Sequence, residues 1–392
     1  MNRKRKSLRS SYSESLEPRL LMTDAPQLSS LPGASKTLLI DFDGHKIEDS
    51  VWNIVYQQKS LVAKPYNIEG GPASFSAKEL LHIEEAWSRI SEDFAPFRVN
   101  VTTVDPGPEV MAKSGIRCIV TAEATMVTDR ARRLGVGGMS IDSWGGIVMD
   151  YGRGGKSVAE NASHEIGHSL GLRHDGQRVT SWISYYKGHG KGETGWGPIM
   201  GLGFSQNVTQ WDDGAYYGAT NKQDDLLVMS TTGGLTYRED DHGNSNAEAS
   251  ILNMVDDSMI SDKGIIEMNT DIDVFSFVTN AGEVVIDIKP FTPGPNLDIK
   301  ADLYDSEGTL ILTSDSITTL SAQLKATLEA GEYFIHVDGV GFGSPAKSMS
   351  RTGYSDYGSL GRYFISGLLV APTLAVISAK RTRNLIDDVF SE

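Results

Sequence analysis

The chain has 392 residues, 39% of them hydrophobic, and a formal net charge of −15 at pH 7. This length predicts two or more domains with packed cores, and the acidic balance argues against nucleic acid or an anionic membrane as the main partner. Cys118 is the single cysteine, which excludes an intramolecular disulfide framework. Because it lies in the apolar run 115–121, we expect a buried strand residue and not a reactive thiol.

Residues 1–35 are expected not to join a packed core. Lysine and arginine occupy five of the first nine positions, and a Ser-rich stretch and the short apolar run 16–22 follow. That run is too short and too interrupted for a standard signal-peptide core. The segment is similar to the N-terminal segments of large bacterial surface and secreted proteins, so we interpret it as an export-related leader; a disordered basic tail is the alternative. No stretch of the sequence is long and apolar enough to span a membrane, so we expect no transmembrane anchor.

Residues 36–238 have an α/β pattern and are predicted to form the first domain. Ser76 and Glu79 form a capping box that opens an amphipathic helix. A second box, Ser157 with Glu160, is predicted to open the next long helix. Apolar runs bounded by turn residues predict strands at 37–43, 97–103, 115–121, 137–141 and 147–151.

The stretch 164–175 has the spacing of a zinc site with its own general base. His164 and His168 are four residues apart, so both imidazoles lie on one face of a helix. Gly171 allows the chain to leave the helix in a left-handed turn, and His174 then returns as a third nitrogen ligand. Three protein ligands leave one tetrahedral position open, which is typical of a catalytic zinc site. Glu165 follows the first ligand and is expected to act as the general base.

These residues resemble the metzincin clan of zinc endopeptidases, whose extended motif is His-Glu-x-x-His-x-x-Gly-x-x-His followed by a Met-turn. Asp175 after the third histidine fits several metzincin families, and the resemblance implies that Met200 is the Met-turn residue, a hydrophobic floor beneath the ligands. The segments 40–45 and 87–106 are similar to a bacterial group of reprolysin-like or matrixin-like metzincins. The resemblance implies a zincin-like catalytic domain in which a peptide substrate binds extended in the cleft along the edge strand 137–141.

The group that polarises the substrate stays open. Leu202 occupies the position after Met200 at which astacins and serralysins place an additional tyrosine ligand. The remaining candidates are four tyrosines: Tyr185, Tyr186, Tyr216 and Tyr217. Two histidines outside the motif, His45 and His189, are expected to lie in turns or at the surface and not to bind metal.

Residues 239–254 form a polar join after the first domain. Carboxylates here and shortly afterwards are candidate calcium ligands, because calcium prefers oxygen donors. The candidates are Asp240, Asp241 and Asp273. A solvated linker is the alternative interpretation.

Residues 255–372 contain short alternating strands separated by turns such as 305–308 and 329–332. Regularly spaced strands of this kind predict an all-β antiparallel sandwich. The segment resembles the bacterial pre-peptidase C-terminal domain. Residues 373–392 are expected to form a C-terminal tail.

The sequence as a whole predicts a secreted or cell-surface bacterial zinc metalloendopeptidase that acts on protein or peptide substrates. One catalytic Zn²⁺ is the expected cofactor, and Ca²⁺ is a second candidate. The alternative is a non-catalytic extracellular adhesin or binding protein with a structural zinc site. Peptide cleavage that a zinc chelator abolishes would separate the two, because only the enzyme predicts it.

Overall fold

The computed structural model of the protein describes residues 25–70, 74–121, 138–140, 146–347 and 352–371. More of these residues lie in strands than in helices, and the C-terminal region is β throughout. The elements up to the histidine motif are β1 (Lys36–Asp41), β2 (His45–Glu48), α1 (Val51–Tyr56), β3 (Ser60–Ala63), α2 (Ala77–Asp93), β4 (Val99–Thr102), α3 (Pro108–Ser114), β5 (Gly115–Val120), β6 (Gly138–Ser140), β7 (Ile147–Asp150) and α4 (Gly155–Ser169).

A mixed five-stranded sheet forms the centre of the N-terminal region, with strand order β4-β1-β5-β7-β6. Its strands are parallel except β6, which runs antiparallel to β7 at the edge. Cys118 is fully buried in β5, so the expected buried strand residue is confirmed. Of the predicted edge strand 137–141, the structure describes residues 138–140, which form β6; residues 137 and 141 lie outside the described residues.

The long helices α2 and α4 pack on each other and on the sheet. The predicted capping box of α2 is confirmed: Ser76 N–H donates to Glu79 Oε2 at 2.8 Å, and Glu79 N–H donates to Ser76 Oγ at 3.2 Å. The box predicted at Ser157 and Glu160 is wrong, because α4 begins two residues earlier, after Gly154. Ser157 Oγ instead donates to the Gly154 carbonyl, and Glu160 is buried and accepts from Thr209.

Residues 28–31, which we assigned to the leader, lie along β4. Ser30 N–H donates to the Val101 carbonyl at 3.0 Å. The packed part of the chain therefore begins inside that segment, since these contacts satisfy backbone groups at the exposed side of β4. Residues 1–24 lie outside the described residues.

A loop-rich stretch with short elements follows the histidine motif. Its elements are β8 (Gln177–Arg178), β9 (Trp182–Ile183), a 3₁₀ turn (Gly192–Thr194), β10 (Trp196–Pro198), β11 (Val208–Gln210) and α5 (Asp225–Thr231). Strands β10 and β11 are parallel to each other, and β8 and β9 form a small hairpin.

The C-terminal region consists of two packed sheets with orders β12-β14-β19-β16-β17 and β13-β22-β15-β18. Apart from the short β12, which is parallel to β14, the pairings in these sheets are antiparallel. The strands are β12 (Ser250–Ile251), β13 (Met259–Ile266), β14 (Ile272–Thr279), β15 (Gly282–Pro290), β16 (Ile299–Asp305), β17 (Leu310–Asp315), β18 (Ala322–Leu328), β19 (Gly331–Gly339), β20 (Phe342–Gly343), β21 (Gly353–Tyr354) and β22 (Gly361–Leu368). We refer to this region as the β-sandwich. Its first strand, β12, lies within the predicted linker.

The β-sandwich packs closely against the N-terminal region. Arg362 at the start of β22 donates from its main-chain N–H and from Nε to the carboxylate of Glu92, at 2.9 and 2.7 Å. Glu92 is fully buried, so this ion pair is part of the interior and not a surface contact. No helix among the described residues combines the length and the apolar character needed to cross a membrane. The predicted tail 373–392 lies outside the described residues.

Candidate metal centre

The three motif histidines come together at the end of α4. His164 and His168 lie one helical turn apart, and their ring centroids are 4.8 Å apart. His174 lies after the helix, with ring centroids 5.2 Å from His164 and 4.5 Å from His168. One ring nitrogen of each residue lies within 4.8 Å of the others, so the three can serve one metal ion.

Backbone carbonyl groups orient two of these rings. His164 Nδ1 lies 2.9 Å from the Ile199 carbonyl oxygen, and His168 Nδ1 lies 2.9 Å from that of Leu172. A carbonyl only accepts hydrogen bonds, so both rings must carry a proton at Nδ1. In the neutral imidazole Nε2 then carries a lone pair and no proton, which is the form that a metal ion requires. His168 Nε2 lies 2.8 Å from His174 Nε2, so a metal ion would replace this contact.

Burial keeps these imidazoles in the form that binds metal. Burial lowers the pKa of His164 to about 3, and the neighbouring His168 adds to the effect. Burial also lowers the pKa of His168 and of His174 below the ordinary value. All three rings are therefore neutral at pH 7, and neutral imidazole is the ligand form.

A glycine turn brings the third histidine back to the helix. Gly171 has φ +102°, a conformation that side chains with a Cβ rarely adopt. Leu172 N–H then donates to the Gly167 carbonyl at 3.0 Å, which closes the helix end. The turn predicted from Gly171 is confirmed, and it directs His174 toward the two helical ligands.

Met200 lies beneath the histidine helix. It is fully buried, and a Cβ added to Gly167 would lie 2.6 Å from its sulfur. Asp175 N–H donates to the Met200 carbonyl at 2.8 Å, so the methionine turn is also bound to the chain just after His174. The position is that of a packing residue beneath the ligands.

Tyr185 lies beside the histidines, and Glu165 adjoins His164 in the helix. Glu165 follows His164 on α4 and is 9% exposed. The Tyr185 ring centroid lies 4.4 Å from that of His174, and 42% of Tyr185 is exposed, so it faces both the histidines and solvent. Burial raises the pKa of Tyr185, and the Glu165 carboxylate raises it further, which keeps the hydroxyl protonated.

The other three tyrosine candidates lie elsewhere. Tyr186 and Tyr216 are buried and stacked, with ring centroids 4.5 Å apart. The Tyr216 hydroxyl donates to the Gly176 carbonyl at 2.6 Å, whereas Tyr217 accepts a hydrogen bond at its backbone carbonyl from Gln177. Of the four, Tyr185 is the one whose ring contacts the histidine motif.

His45 and His189, the two histidines outside the motif that the sequence analysis considered, differ from each other. His189 was expected in a turn or at the surface, but it is 8% exposed. Its Nδ1 lies 2.8 Å from the Tyr186 hydroxyl and its Nε2 lies 2.6 Å from the Gly353 carbonyl of the β-sandwich. His189 is therefore an interface residue, which its local sequence does not indicate. His45 begins β2 and lies 3.9 Å from an oxygen of Asp41.

A separate acidic group lies where the chain enters the β-sandwich. Asp240, Glu267 and Asp271 place one carboxylate oxygen each within 4.8 Å of one another. Glu267 is 2% exposed, and no N–H or neutral hydroxyl group of the described residues donates to either of its oxygens; its carboxyl group faces that of Asp271. Burial raises the pKa of Glu267 to about 9, and neighbouring carboxylates including Asp271 and Asp241 raise it further.

The acidic group only partly overlaps the predicted calcium ligands. Asp240 belongs to it. Asp241 instead accepts from Ile265 N–H at 3.3 Å, and Asp273 accepts from the Tyr363 hydroxyl inside the β-sandwich. The sequence analysis missed Glu267 and Asp271. Asp271 lies two positions before Asp273 and could have been found on that basis, whereas nothing in the local sequence of Glu267 indicates a ligand.

No protein-family model and no curated protein matches the chain. Among solved structures, the chain is similar to the pre-peptidase C-terminal domain of collagenase from Bacillus anthracis, with 15% identity over 32% of this chain and 99% of that chain and a TM-score of 0.22. It is also similar to PliG from Aeromonas hydrophila, a periplasmic inhibitor of g-type lysozyme, with 14% identity over 31% of this chain and 95% of that chain and a TM-score of 0.22. A third similarity is to the Yersinia pseudotuberculosis-derived mitogen, with 11% identity over 29% of this chain and 88% of that chain and a TM-score of 0.19. Likenesses this weak assign no activity.

Proposed function

We propose that the protein is a secreted zinc-dependent endopeptidase of the metzincin type. The observation that carries the proposal is the convergence of three neutral imidazoles, one ring nitrogen of each lying within 4.8 Å of the others, at the end of the helix that also carries Glu165. Zinc takes imidazole nitrogen as a ligand, and catalytic zinc sites use three protein ligands. The donor set fits, because His164 and His168 have their Nδ1 atoms bound to carbonyl groups, and His168 Nε2 lies 2.8 Å from His174 Nε2, so these ring nitrogens face a common point.

Each residue at the centre has a distinct role in this proposal. His164, His168 and His174 would hold the metal ion, which when bound polarises a peptide carbonyl and lowers the pKa of water. Glu165 accepts the proton of the attacking water and then donates it to the leaving amine. Tyr185 is the best-placed hydrogen-bond donor to the substrate oxygen, since its hydroxyl stays protonated and it is open to solvent.

The proposed substrate is an extended protein or peptide segment. Strand β6 lies at the edge of the N-terminal sheet and packs beside the histidine helix α4. An extended peptide can add to such an edge through main-chain hydrogen bonds. A peptide bound along β6 in this way would bring its scissile bond toward Glu165 and the three histidines.

Replacement of Glu165 tests the proposed function. We expect Glu165→Gln to keep stoichiometric zinc while cleavage of a mixed peptide library falls by about 100-fold or more, because the general base is lost. Glu160→Gln is the matched control: Glu160 is a buried acid of the same helix, paired with Lys156 at 3.5 Å. Cleavage by Glu165→Gln at the rate of the parent would contradict the assignment.

The same assay separates the enzyme from a binding protein with a structural zinc site. The enzyme predicts cleavage by the parent chain that stops when a zinc chelator is added. Stoichiometric zinc without chelator-sensitive cleavage would favour the binding protein.

We also propose that the acidic group of Asp240, Glu267 and Asp271 binds calcium. Calcium takes carboxylate oxygens as ligands, and both oxygens of Glu267 and Oδ1 of Asp271 accept no hydrogen bond from an N–H or neutral hydroxyl group in the described part of the chain. Buried carboxylates without partners are costly unless a proton or a cation neutralises them.

A further inference from the structure

A buried polar contact joins the β-sandwich to the end of α2. Asn296 lies in the loop between β15 and β16, and its Nδ2 donates to Asp93 Oδ1 at 2.9 Å. Asp93 is the last residue of α2. Asn296 is 4% exposed and Asp93 is 6% exposed, so water does not compete for this hydrogen bond. Trp211 Nε1 also donates to the main-chain carbonyl of Asp93, at 2.7 Å.

One connection from this contact leads to His164 through the helix. The second oxygen of Asp93, Oδ2, accepts from Ser163 Oγ at 2.5 Å. Ser163 is fully buried and directly precedes His164 on α4. Because a helix is stiff over one residue, the direction in which Ser163 is held also fixes the rotation of the helix at His164.

A second connection leads to the same histidine through the methionine turn. The main-chain carbonyl of Asn296 accepts from Gln210 Nε2. The main-chain carbonyl of Gln210 in turn accepts from Ile199 N–H at 2.9 Å, and the Ile199 carbonyl lies 2.9 Å from His164 Nδ1. Trp196 Nε1 donates to Gln210 Oε1 at 2.8 Å, which fixes the glutamine side chain.

We propose that Asn296 of the β-sandwich is a positioning residue for the metal ligand His164. Its side chain acts through Asp93 and Ser163, and its carbonyl acts through Gln210 and Ile199. The inference rests on the proposed zinc site. On this inference, the β-sandwich contributes a residue that orients a metal ligand and is not a structurally independent domain.

The expected size of the effect follows from the burial of the network. Hydrogen bonds are stronger at low dielectric, and a buried polar group that loses its hydrogen-bond partner there destabilises the structure strongly. Groups that orient metal ligands typically change metal affinity by about 10–100-fold when they are replaced. Since both connections end at His164, we expect replacement of Asn296 to change zinc affinity by a similar factor.

Asn296→Asp is the primary test. The substitution keeps the shape of the side chain but replaces the donor to Asp93 by a second buried carboxyl group. We expect the zinc dissociation constant to rise about 10-fold or more, measured at pH 7.5 by competition with a chromogenic chelator. The measurement needs no peptide cleavage.

A double variant provides the rescue. In Asn296→Asp with Asp93→Asn, the new amide at 93 donates to the carboxylate at 296 and still accepts from Ser163 Oγ. Both hydrogen bonds of the parent are restored with donor and acceptor exchanged. We expect zinc affinity within about 3-fold of the parent, because the connection to His164 is re-formed.

Tyr357→Phe is the matched interface control. The Tyr357 hydroxyl accepts from Leu226 N–H at 2.7 Å and donates to Asp224 at 2.6 Å, so its removal also costs hydrogen bonds between the β-sandwich and the N-terminal region. Neither contact leads to His164. We expect a lower melting temperature with unchanged zinc affinity.

The outcomes separate this inference from the proposed function. Parental zinc affinity in Asn296→Asp, or an equal loss in Tyr357→Phe, would overturn it. Should Asn296→Asp fail to fold, Ser163→Ala removes the other end of the same connection, and an unchanged zinc affinity there would overturn it equally. A parent that binds no zinc would reject both proposals, whereas zinc binding without cleavage would reject the enzyme alone.

Discussion

The histidine centre and the acidic group are both candidate cation sites, but they are prepared in opposite ways. At the histidine centre, carbonyl groups of Ile199 and Leu172 hold two rings, and burial keeps all three neutral. In the acidic group, Glu267 is buried and faces the carboxyl group of Asp271, and its pKa is raised to about 9. The histidine centre is therefore neutral and oriented without a cation, whereas the acidic group needs a proton or a cation to neutralise its carboxylates.

This difference shows how the two sites relate to folding. A pre-oriented neutral site costs the fold little, so metal binding adds to a structure that already exists. A group of buried carboxylates without partners opposes folding until protons or a cation neutralise it. We therefore expect metal removal to affect mainly function at the histidine centre and mainly stability at the acidic group.

The largest expected effect is on zinc affinity at the histidine centre. His174→Ala removes one of three ligands, so we expect affinity to fall by more than about 100-fold, beyond the range for residues that only orient ligands. Metal analysis after dialysis measures this. The metal-free stability should change little, and unchanged zinc occupancy would reject His174 as a ligand.

A smaller effect of opposite character is expected at the acidic group. Glu267→Gln removes a buried carboxyl group that must take up a proton when the protein folds, so in calcium-free buffer the variant should be more stable than the parent by about 1–3 kcal/mol. Calcium should stabilise the parent and have less effect on the variant. Urea unfolding with a chelator and with calcium tests both statements. Asp257→Asn is the control at an exposed acid of the same region; equal calcium responses in all three chains would remove the proposed site.

A third effect is expected in the pH dependence of the metal-free protein. Folding lowers the pKa of His164 from 6.5 to about 3, so its contribution to stability is present above pH 6.5 and is lost as the pH falls below it. Folding raises the pKa of Glu267 from 4.5 to about 9, so its contribution is present below pH 4.5 and is lost as the pH rises toward 9.

Unfolding midpoints between pH 5 and 9 measure this difference in a chelating buffer. Above pH 6.5 the parent should lose more stability than Glu267→Gln as the pH rises. Between pH 6.5 and 5 the contributions of His164 and Glu267 oppose each other in the parent, so Glu267→Gln should lose more stability there as the pH falls. Parallel curves for the two chains above pH 6.5 would show that Glu267 does not titrate in the folded protein.

The histidine centre could be predicted from sequence because its information is local. His164 and His168 lie on one helix, and the turn at Gly171 needs one residue type. The strands of the central N-terminal sheet and the all-β character of the C-terminal region followed from apolar runs, alternation and turn residues, whereas the short strands β2, β3 and β8 to β11 were not predicted. The start of α4 was placed too late because Ser157 satisfies a carbonyl of the preceding turn and does not cap the helix.

The remaining features depend on contacts between distant parts of the chain. Glu267 becomes a candidate ligand only when β13 brings it beside Asp240 and Asp271. The burial of His189 depends on the Gly353 carbonyl of the β-sandwich. Asn296 occupies a loop whose local sequence suggests a turn, and its partner Asp93 is 203 residues away. No local pattern encodes such pairs.

The contact between Asn296 and Asp93 has a consequence for the order of events during synthesis. The ribosome releases the histidine motif well before it releases Asn296, so for a time the nascent chain has its ligands without the residue that we propose to align them. The proposed metal centre would then be completed only after the last third of the chain has folded. If the protein is the protease that we propose, this order would protect the nascent chain from its own activity.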